Sequence, residues 1–133
     1  MIQVRETVRS MLSNGHAAGS VPRALIVPHA GYVYSGPVAA TAHSRLIPFK
    51  EKYRRVVMLG PCHRVPLSGL ASSSADACGA AAVSGLLIVA RRRGLNVRTL
   101  DLRNSGDTAG GREQVVGYGS WLFEEGKSCD LAA

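Results

Sequence analysis

Two histidines of this sequence come at or shortly after the ends of short apolar runs that are typical of buried strands. His29 follows the run at 24–28, and His63 comes a few residues after the run at 55–59. Apolar runs without polar alternation are typical of strands covered on both faces. Parallel strands end at the same edge of a sheet and lie about 4.8 Å apart. We therefore expect both imidazoles to face one crevice, where they can share a metal ion.

Cys78 is a third candidate ligand, since it lies where the pattern predicts the first turn of a helix. A helix N-terminus stabilises a thiolate, so this cysteine is expected to be the most acidic of the three. Gly79 beside it permits close approach by backbone or ligand. Two imidazoles and a thiolate suit zinc, iron or copper. The residue types and positions alone thus lead to the hypothesis of a mononuclear metal site formed by His29, His63 and Cys78.

Other interpretations of these residues stay open. A histidine after a strand is usually a loop residue bonded to backbone, and a cysteine in an apolar helix usually packs in a core. Cys62 and His63 are sequence neighbours, which rarely face each other as nucleophile and base. A Cys-dependent hydrolase would instead need His29 as the base to one of the thiols.

Two further groups of residues are candidates for binding without metal chemistry. Tyr32, Tyr34 and Trp121 can line a pocket, with Cys62 and Gly79 as further pocket residues, or they can pack in the core or at a rim. The glycine-rich stretch at 105–111, like the Gly-Pro-Cys-His at 60–63, could cradle an anion through backbone amides. Neither stretch contains the lysine of a phosphate-binding loop, so neither is a nucleotide signature.

Strand-like and helix-like stretches alternate along the chain, which predicts an α/β protein with a largely parallel or mixed sheet flanked by helices. The length of 133 residues fits a single domain at 1–133. The stretch at 77–93 is apolar nearly all round, so we expect a buried helix there. The expected elements are a helix at 3–13, a strand at 24–28, a helix from Pro37 to about Leu46, a strand at 55–59, a helix at 77–93 between Asp76 and Gly94, a strand at 96–102, a loop at 103–112, an element of undecided type at 114–123 and a frayed tail at 124–133.

Composition narrows the classes of protein. The net charge is +7, but the arginines are scattered rather than gathered on one stretch, which disfavours a dedicated nucleic-acid surface. Three cysteines without a secretion signal argue against a disulfide framework. No apolar run approaches the roughly 20 residues of a membrane span. We therefore expect a cytoplasmic protein that makes no membrane contact.

The motifs, taken in order, resemble one known family. The stretch P-H-A-G-Y-V-Y-S-G-P-V-A-A at 28–40 is similar to the opening motif of the Memo family, which includes protein B of the AmmeMemoRadiSam system. L-G-P-C-H at 59–63 resembles the second motif, where a hydroxyl residue is more usual than Cys62. A-C-G-A-A-A-V at 77–83 and D-L-R-N-S-G-D-T at 101–108 resemble the C-terminal portion of the family.

The resemblance implies a fold like that of LigB-type class III extradiol dioxygenases and a mononuclear metal site. Its two histidines and one cysteine map onto His29, His63 and Cys78, with iron or copper favoured over zinc. The dioxygenases use a carboxylate where Memo proteins have cysteine, so an enzymatic activity does not follow. A radical-SAM enzyme and an AMMECR1-type protein are the implied partners. The alternatives are a non-catalytic interaction protein with a vestigial metal pocket and the Cys-dependent hydrolase.

The chain departs from the family in length. Members carry a long central region between the His63 motif and the Cys78 motif, whereas only a short stretch joins the two here. An internal deletion near 71–77 is therefore inferred, which makes the fold incomplete. Lost strands would leave exposed sheet edges, so self-association is possible, and the residues that orient the metal ligands would also be missing.

Overall fold

The computed structural model describes residues 2–13, 19–60 and 79–126. Helices and strands mix along these ranges, which confirms the α/β class. The first helix and the first strand begin close to where the sequence predicts them. The elements are α1 (Ile2–Ser13), β1 (Ala24–Ile26), α2 (Tyr32–His43), a 3-10 helix (Ser44–Lys52), α3 (Ala80–Arg92), β2 (Leu95–Asn104), α4 (Ser105–Thr108) and β3 (Gly117–Glu125).

The three strands that the structure describes form one sheet in the order β1-β3-β2. Both pairings are antiparallel; Leu25 lies opposite Leu122 on one side of β3, and Val97 lies opposite Phe123 on the other. The sequence predicted a largely parallel or mixed sheet; the described strands pair antiparallel, so the parallel direction is not found among them. The reason is β3 itself, whose type the sequence left undecided. It lies between β1 and β2, so neither of these strands has the other as a parallel neighbour.

The core lies where α2 packs on β3. Tyr118, Ser120 and Leu122 alternate along β3 and are all buried, as the period of two along a strand requires. Val38 and Ala42 of α2 are fully buried as well. Alanine, glycine and serine predominate on α2, so the helix can approach the sheet closely.

Helix α2 begins at Tyr32, five residues before Pro37, which the sequence placed at the first helical position. The backbone N–H groups of Tyr34 and Ser35 both donate to the carbonyl of Gly31, which starts the helix there. Pro37 thus lies inside the helix, where it has no N–H to donate. Val33, whose carbonyl would have accepted that bond, is exposed. Tyr32 and Tyr34, which the sequence placed in a loop, therefore lie in the first turn of α2.

Two apolar stretches that were expected in the core are exposed instead. Residues 55–60 belong to no helix or strand, and Met58 in their middle is 90% exposed. In α3, Ala90 is buried, but Leu87 and Ile88 are about half exposed. Both expectations of burial are wrong. An apolar sequence shows that a segment can be buried, but other parts of the chain must cover it. The three described strands offer too small a sheet to bury these segments.

The ends of the later elements follow local chemistry. Gly94, with φ of 61°, ends α3 as predicted. The expected loop at 103–112 contains the short helix α4, which a reciprocal pair of hydrogen bonds between Asn104 and Asp107 caps. Strand β3 extends to Glu125 and so includes the first residues of the expected tail. Asp76, the expected N-cap of α3, lies outside the described residues, as does the chain after Gly126.

Tyr53, just after the 3-10 helix, joins the beginning of segment 55–60 to the beginning of β1. Its hydroxyl donates to the carbonyl of Pro22 at 3.1 Å. Burial raises the pKa of the Tyr53 phenol above its ordinary value, and the nearby Arg23 guanidinium opposes part of that rise. Arg23 in turn pairs with Glu125 at the end of β3. The Tyr53 side chain therefore links the chain before each of the two histidine motifs.

No helix within 2–13, 19–60 and 79–126 is long and apolar enough to cross a bilayer. The cytoplasmic location stays a prediction.

Replacing Leu122 by alanine should lower the free energy of unfolding by about 2–5 kcal/mol, because this side chain of β3 is buried in the core. Leu102 on β2 is the matched control, since it is 64% exposed and Leu102→Ala should cost less than about 1 kcal/mol. Urea unfolding followed by circular dichroism measures both. Equal losses would contradict the placement of the core.

The raised pKa of Tyr53 makes stability depend on pH in the alkaline range. A group whose pKa is higher in the folded chain contributes its full stability below the unfolded value of 10.0 and loses it as pH rises through the folded pKa. The midpoint of urea unfolding should therefore fall above about pH 10. Tyr53→Phe should flatten that fall, whereas Tyr118→Phe serves as the control on β3. An identical alkaline fall in the Tyr53 variant would contradict the assignment.

Candidate functional site

His29 lies in the connection between β1 and α2, residues 27–31, and is exposed. It leaves the sheet directly after β1, the position that the sequence indicated. The connection is short because α2 begins at Tyr32, so the imidazole is held close to both the sheet edge and the beginning of the helix. A side chain in this position can reach a ligand at the edge of the sheet.

The turn that carries His29 is fixed by the buried side chain of Ser35. The Ser35 hydroxyl donates to the carbonyl of Ala30 at 2.9 Å. The Tyr34 and Ser35 N–H groups donate to the carbonyl of Gly31 at 2.9 and 3.0 Å. These three bonds hold the residues that follow His29 against the first turn of α2, and only 1% of Ser35 is exposed. The backbone beside the imidazole is therefore well defined.

The two tyrosines of the site differ in where they lie. Tyr32 and Tyr34 are 56% and 44% exposed in the first turn of α2. Residues two apart on a helix point about 200° away from each other, so the rings leave in nearly opposite directions. The Tyr34 ring lies next to Gly31, where it would contact an added Cβ at 3.7 Å. The Tyr34 ring therefore lies beside the backbone of the His29 turn.

The second motif begins beside β1. The hydrogen bond from Tyr53, two residues before segment 55–60, reaches Pro22, two residues before β1. His63 and Cys62 lie outside the described residues, so their positions relative to His29 are not part of the structure. The chain that leads to them is nonetheless linked, through the Tyr53 side chain, to the chain that leads to His29.

The third candidate ligand precedes a helix that begins with an unusual backbone. Cys78 also lies outside the described residues, and Gly79 follows it as the N-cap of α3. Gly79 has φ of 87° and ψ of 13°, in the left-handed region that favours glycine. Within the described ranges no three histidine, cysteine or acidic side chains gather closely enough to hold a metal ion. Only His29 of the three predicted ligands belongs to those ranges.

The glycine-rich stretch at 105–111 does not offer a free anion cradle. The N–H of Gly106 donates to Asn104 Oδ1 at 2.8 Å. The N–H groups of Ala109 and Gly110 both donate to the carbonyl of Ser105, at 3.1 and 2.6 Å. These amides are already used to close the turn, so the interpretation as an anion-binding loop is disfavoured.

A groove beside this turn is lined by Trp121, one of the aromatic residues that the sequence offered as pocket lining. Its volume is about 470 Å³, and Trp121, which lies across Gly119, forms part of its lining. Arg103 at its side makes a two-pronged ion pair with Asp101. That hydrogen-bonded pair raises the pKa of the Arg103 guanidinium above its already high ordinary value. The Gly-Tyr-Gly-Ser-Trp alternation at 117–121 was the available signal, because glycines on one strand face leave room for an indole.

Comparison with known proteins gives the same family as the motifs. The model of the family described as Memo-like protein matches residues 3–77. Protein MEMO1 of Homo sapiens and that of Danio rerio are each 42% identical over 74 residues, which is 56% of this chain and 24% of theirs. A MEMO1 family protein of Aquifex aeolicus is 48% identical over 42 residues, or 32% of this chain and 14% of its own. No solved structure matches the chain.

The matched range has two consequences for the site. It contains His29 and His63 and ends one residue before Cys78, so the resemblance of 77–83 and 101–108 to the family's C-terminal portion stays a prediction. The chain spans about a quarter of the length of the MEMO1 relatives. Because the Memo-like model matches more than half of its residues, the chain belongs to the Memo-like family.

Proposed function

We propose that the chain binds one transition metal ion through His29, His63 and Cys78. The observation that carries the proposal is the Tyr53–Pro22 hydrogen bond, which brings the beginnings of the two histidine-bearing segments together. His29 is seven positions after Pro22 and His63 is ten positions after Tyr53, so both imidazoles lie a similar distance along the chain from that anchor. Segments that continue in the same direction would deliver both rings to one edge.

The donor set fits a transition metal. Two neutral imidazoles and one thiolate are intermediate to soft ligands, which favours iron, copper or zinc over magnesium or calcium. His29 is exposed at the exit of β1 and so is accessible to an ion. Gly79, in the left-handed region, provides backbone without a side chain directly beside Cys78. Iron and copper are the metals that we propose first.

This chain's own residues would position the metal rather than supply chemistry around it. Ser35 fixes the turn that carries His29, and Tyr34 lies beside Gly31 at the same turn. A bound metal of this kind can polarise a substrate oxygen or exchange electrons. In this proposal the phenol of Tyr34 would donate a hydrogen bond to a molecule held there. A radical-SAM enzyme and an AMMECR1-type protein are the partners proposed for such an activity.

His29→Ala should lower the affinity for iron(II) or copper by at least about 10-fold, because one of three ligands is lost. His43→Ala is the matched control, since His43 is also exposed and its ring bonds the carbonyl of Ala39 within α2. Elemental analysis of anaerobically purified protein and titration with each metal salt measure the effect. Parent protein without metal affinity, or equal affinity in the two variants, would contradict the proposal.

The cysteine ligand is tested in the same way. Cys78→Ser should reduce bound metal and remove the thiolate-to-metal absorption of the copper- or iron-loaded chain. Cys129→Ser near the C-terminus is the control and should leave both readouts unchanged. If only the Cys129 variant lost the absorption band, the thiolate ligand would be Cys129, which would contradict the assignment to Cys78.

Ser35→Ala tests whether the fixed turn positions His29. We expect metal affinity to fall about 10-fold, as for other residues that orient a ligand, and stability to fall by about 1 kcal/mol. Ser84→Ala on the exposed surface of α3 should change neither. Metal titration and urea unfolding are measured on both. Unchanged metal affinity in a destabilised Ser35 variant would show a structural role only.

A further inference from the structure

The groove beside α4 has an open place in its floor. Gly117, Gly119 and the indole of Trp121, all on β3, belong to its lining. These residues alternate along the strand, so they lie on one face of the sheet. The indole fills the space over Gly119, where a Cβ would collide with the ring. Over Gly117 no atom of the described residues lies within 4 Å of the position of a Cβ. A flat group can therefore lie on Gly117 beside the indole.

The neighbouring strand and the turn after it supply the other side of the groove. Asn104 of β2 lies opposite Gly117, and Leu102 lies opposite Gly119. Asp107 also lines the groove, and its Oδ2 accepts the backbone N–H of Asn104 at 2.9 Å. In the described part of the chain Asp107 forms no ion pair. The carboxylate is thus fixed by one hydrogen bond, while its second oxygen can accept from a ligand.

The charges at the groove favour a cationic ligand. Arg103 belongs to the lining, but its Nε and Nη2 atoms already donate to the two oxygens of the Asp101 carboxylate. Among the described residues, Arg112 lies beside Gly106 rather than in the lining. Asp107 thus remains as the charge of the groove that no ion pair compensates. An indole also attracts a cation placed over its face, so both groups select the same sign of charge.

We propose that the groove lined by Trp121, Gly117 and Asp107 binds a small, flat organic cation of the amidinium or guanidinium class. The flat group would lie on Gly117 against the indole, and its N–H groups would donate to Asp107, because a planar fork of donors matches a carboxylate. A volume of about 470 Å³ is within the range of small-molecule sites. The Memo-like match ends at residue 77, so the groove lies outside it. The inference requires no metal and is independent of the proposed function.

Benzamidine, benzamide and benzoate test the proposal, because they have nearly the same shape but are cationic, neutral and anionic. Trp121 is the single tryptophan of the chain, so its fluorescence reports on the groove. We expect benzamidine to change this fluorescence with a dissociation constant on the order of 1 mM. Benzamide and benzoate should bind at least about 5-fold more weakly. Equal affinities, a preference for benzoate, or no response to benzamidine would overturn the proposal.

Two variants test the roles of the floor and of the carboxylate, and circular dichroism checks that each is folded. Gly117→Ala places a methyl group on the open floor and should weaken benzamidine binding roughly 5-fold. Asp107→Asn keeps an oxygen for the Asn104 N–H but removes the charge, so only benzamidine, not benzamide, should bind more weakly. Gly85→Ala on α3 is the matched control, since its Cβ also meets open space. Unchanged benzamidine affinity in either groove variant, or an equal loss in Gly85→Ala, would overturn the proposal.

Discussion

Helix α2 lies against the central strand β3, and the two side chains Thr41 and Ser120 meet between them at 2.9 Å. Val38, Leu122 and Phe123 are fully buried in the described part of the chain. A hydroxyl pair can be buried at this contact because each oxygen has a partner. Since β3 carries β1 on one side and β2 on the other, the position of α2 on β3 determines where β1 ends. The turn with His29 follows from that position.

Burial needs a second surface, and the residues that lack one explain most of the differences between sequence and structure. Val57 and Ile88 belong to segments with the apolar pattern of core elements, yet both are more than half exposed. The chain spans about a quarter of the MEMO1 relatives. Periodicity reports which face of a segment is apolar, whereas the surface opposite that face belongs to other parts of a protein. The apolar pattern was thus identified correctly, but its burial did not follow.

Features that depend on a residue and its immediate neighbours were predicted more reliably than features that depend on distant parts of the chain. Gly94 was predicted to end α3 and does so with a positive φ, because only the residue itself and its neighbours decide that conformation. Strand direction failed because it depends on β3, whose glycines at 117 and 119 obscured its period. The beginning of α2 was misplaced because Pro37 was given the first position. A carbonyl of Gly31 that accepts two N–H groups initiates the helix earlier. Motif recognition gave the family, which matches over residues 3–77.

The candidate site depends on the same distinction between local and distant determinants. His29 is positioned by neighbours within seven residues, through the Ser35–Ala30 bond and the end of β1, so it needs little of the remaining chain. Tyr53 adds one distant constraint by bonding Pro22. His63 and Cys78 depend on chain segments that the described residues do not include. The proposed metal ion would supply such a distant constraint, since an ion held by several ligands links the chain segments that carry them.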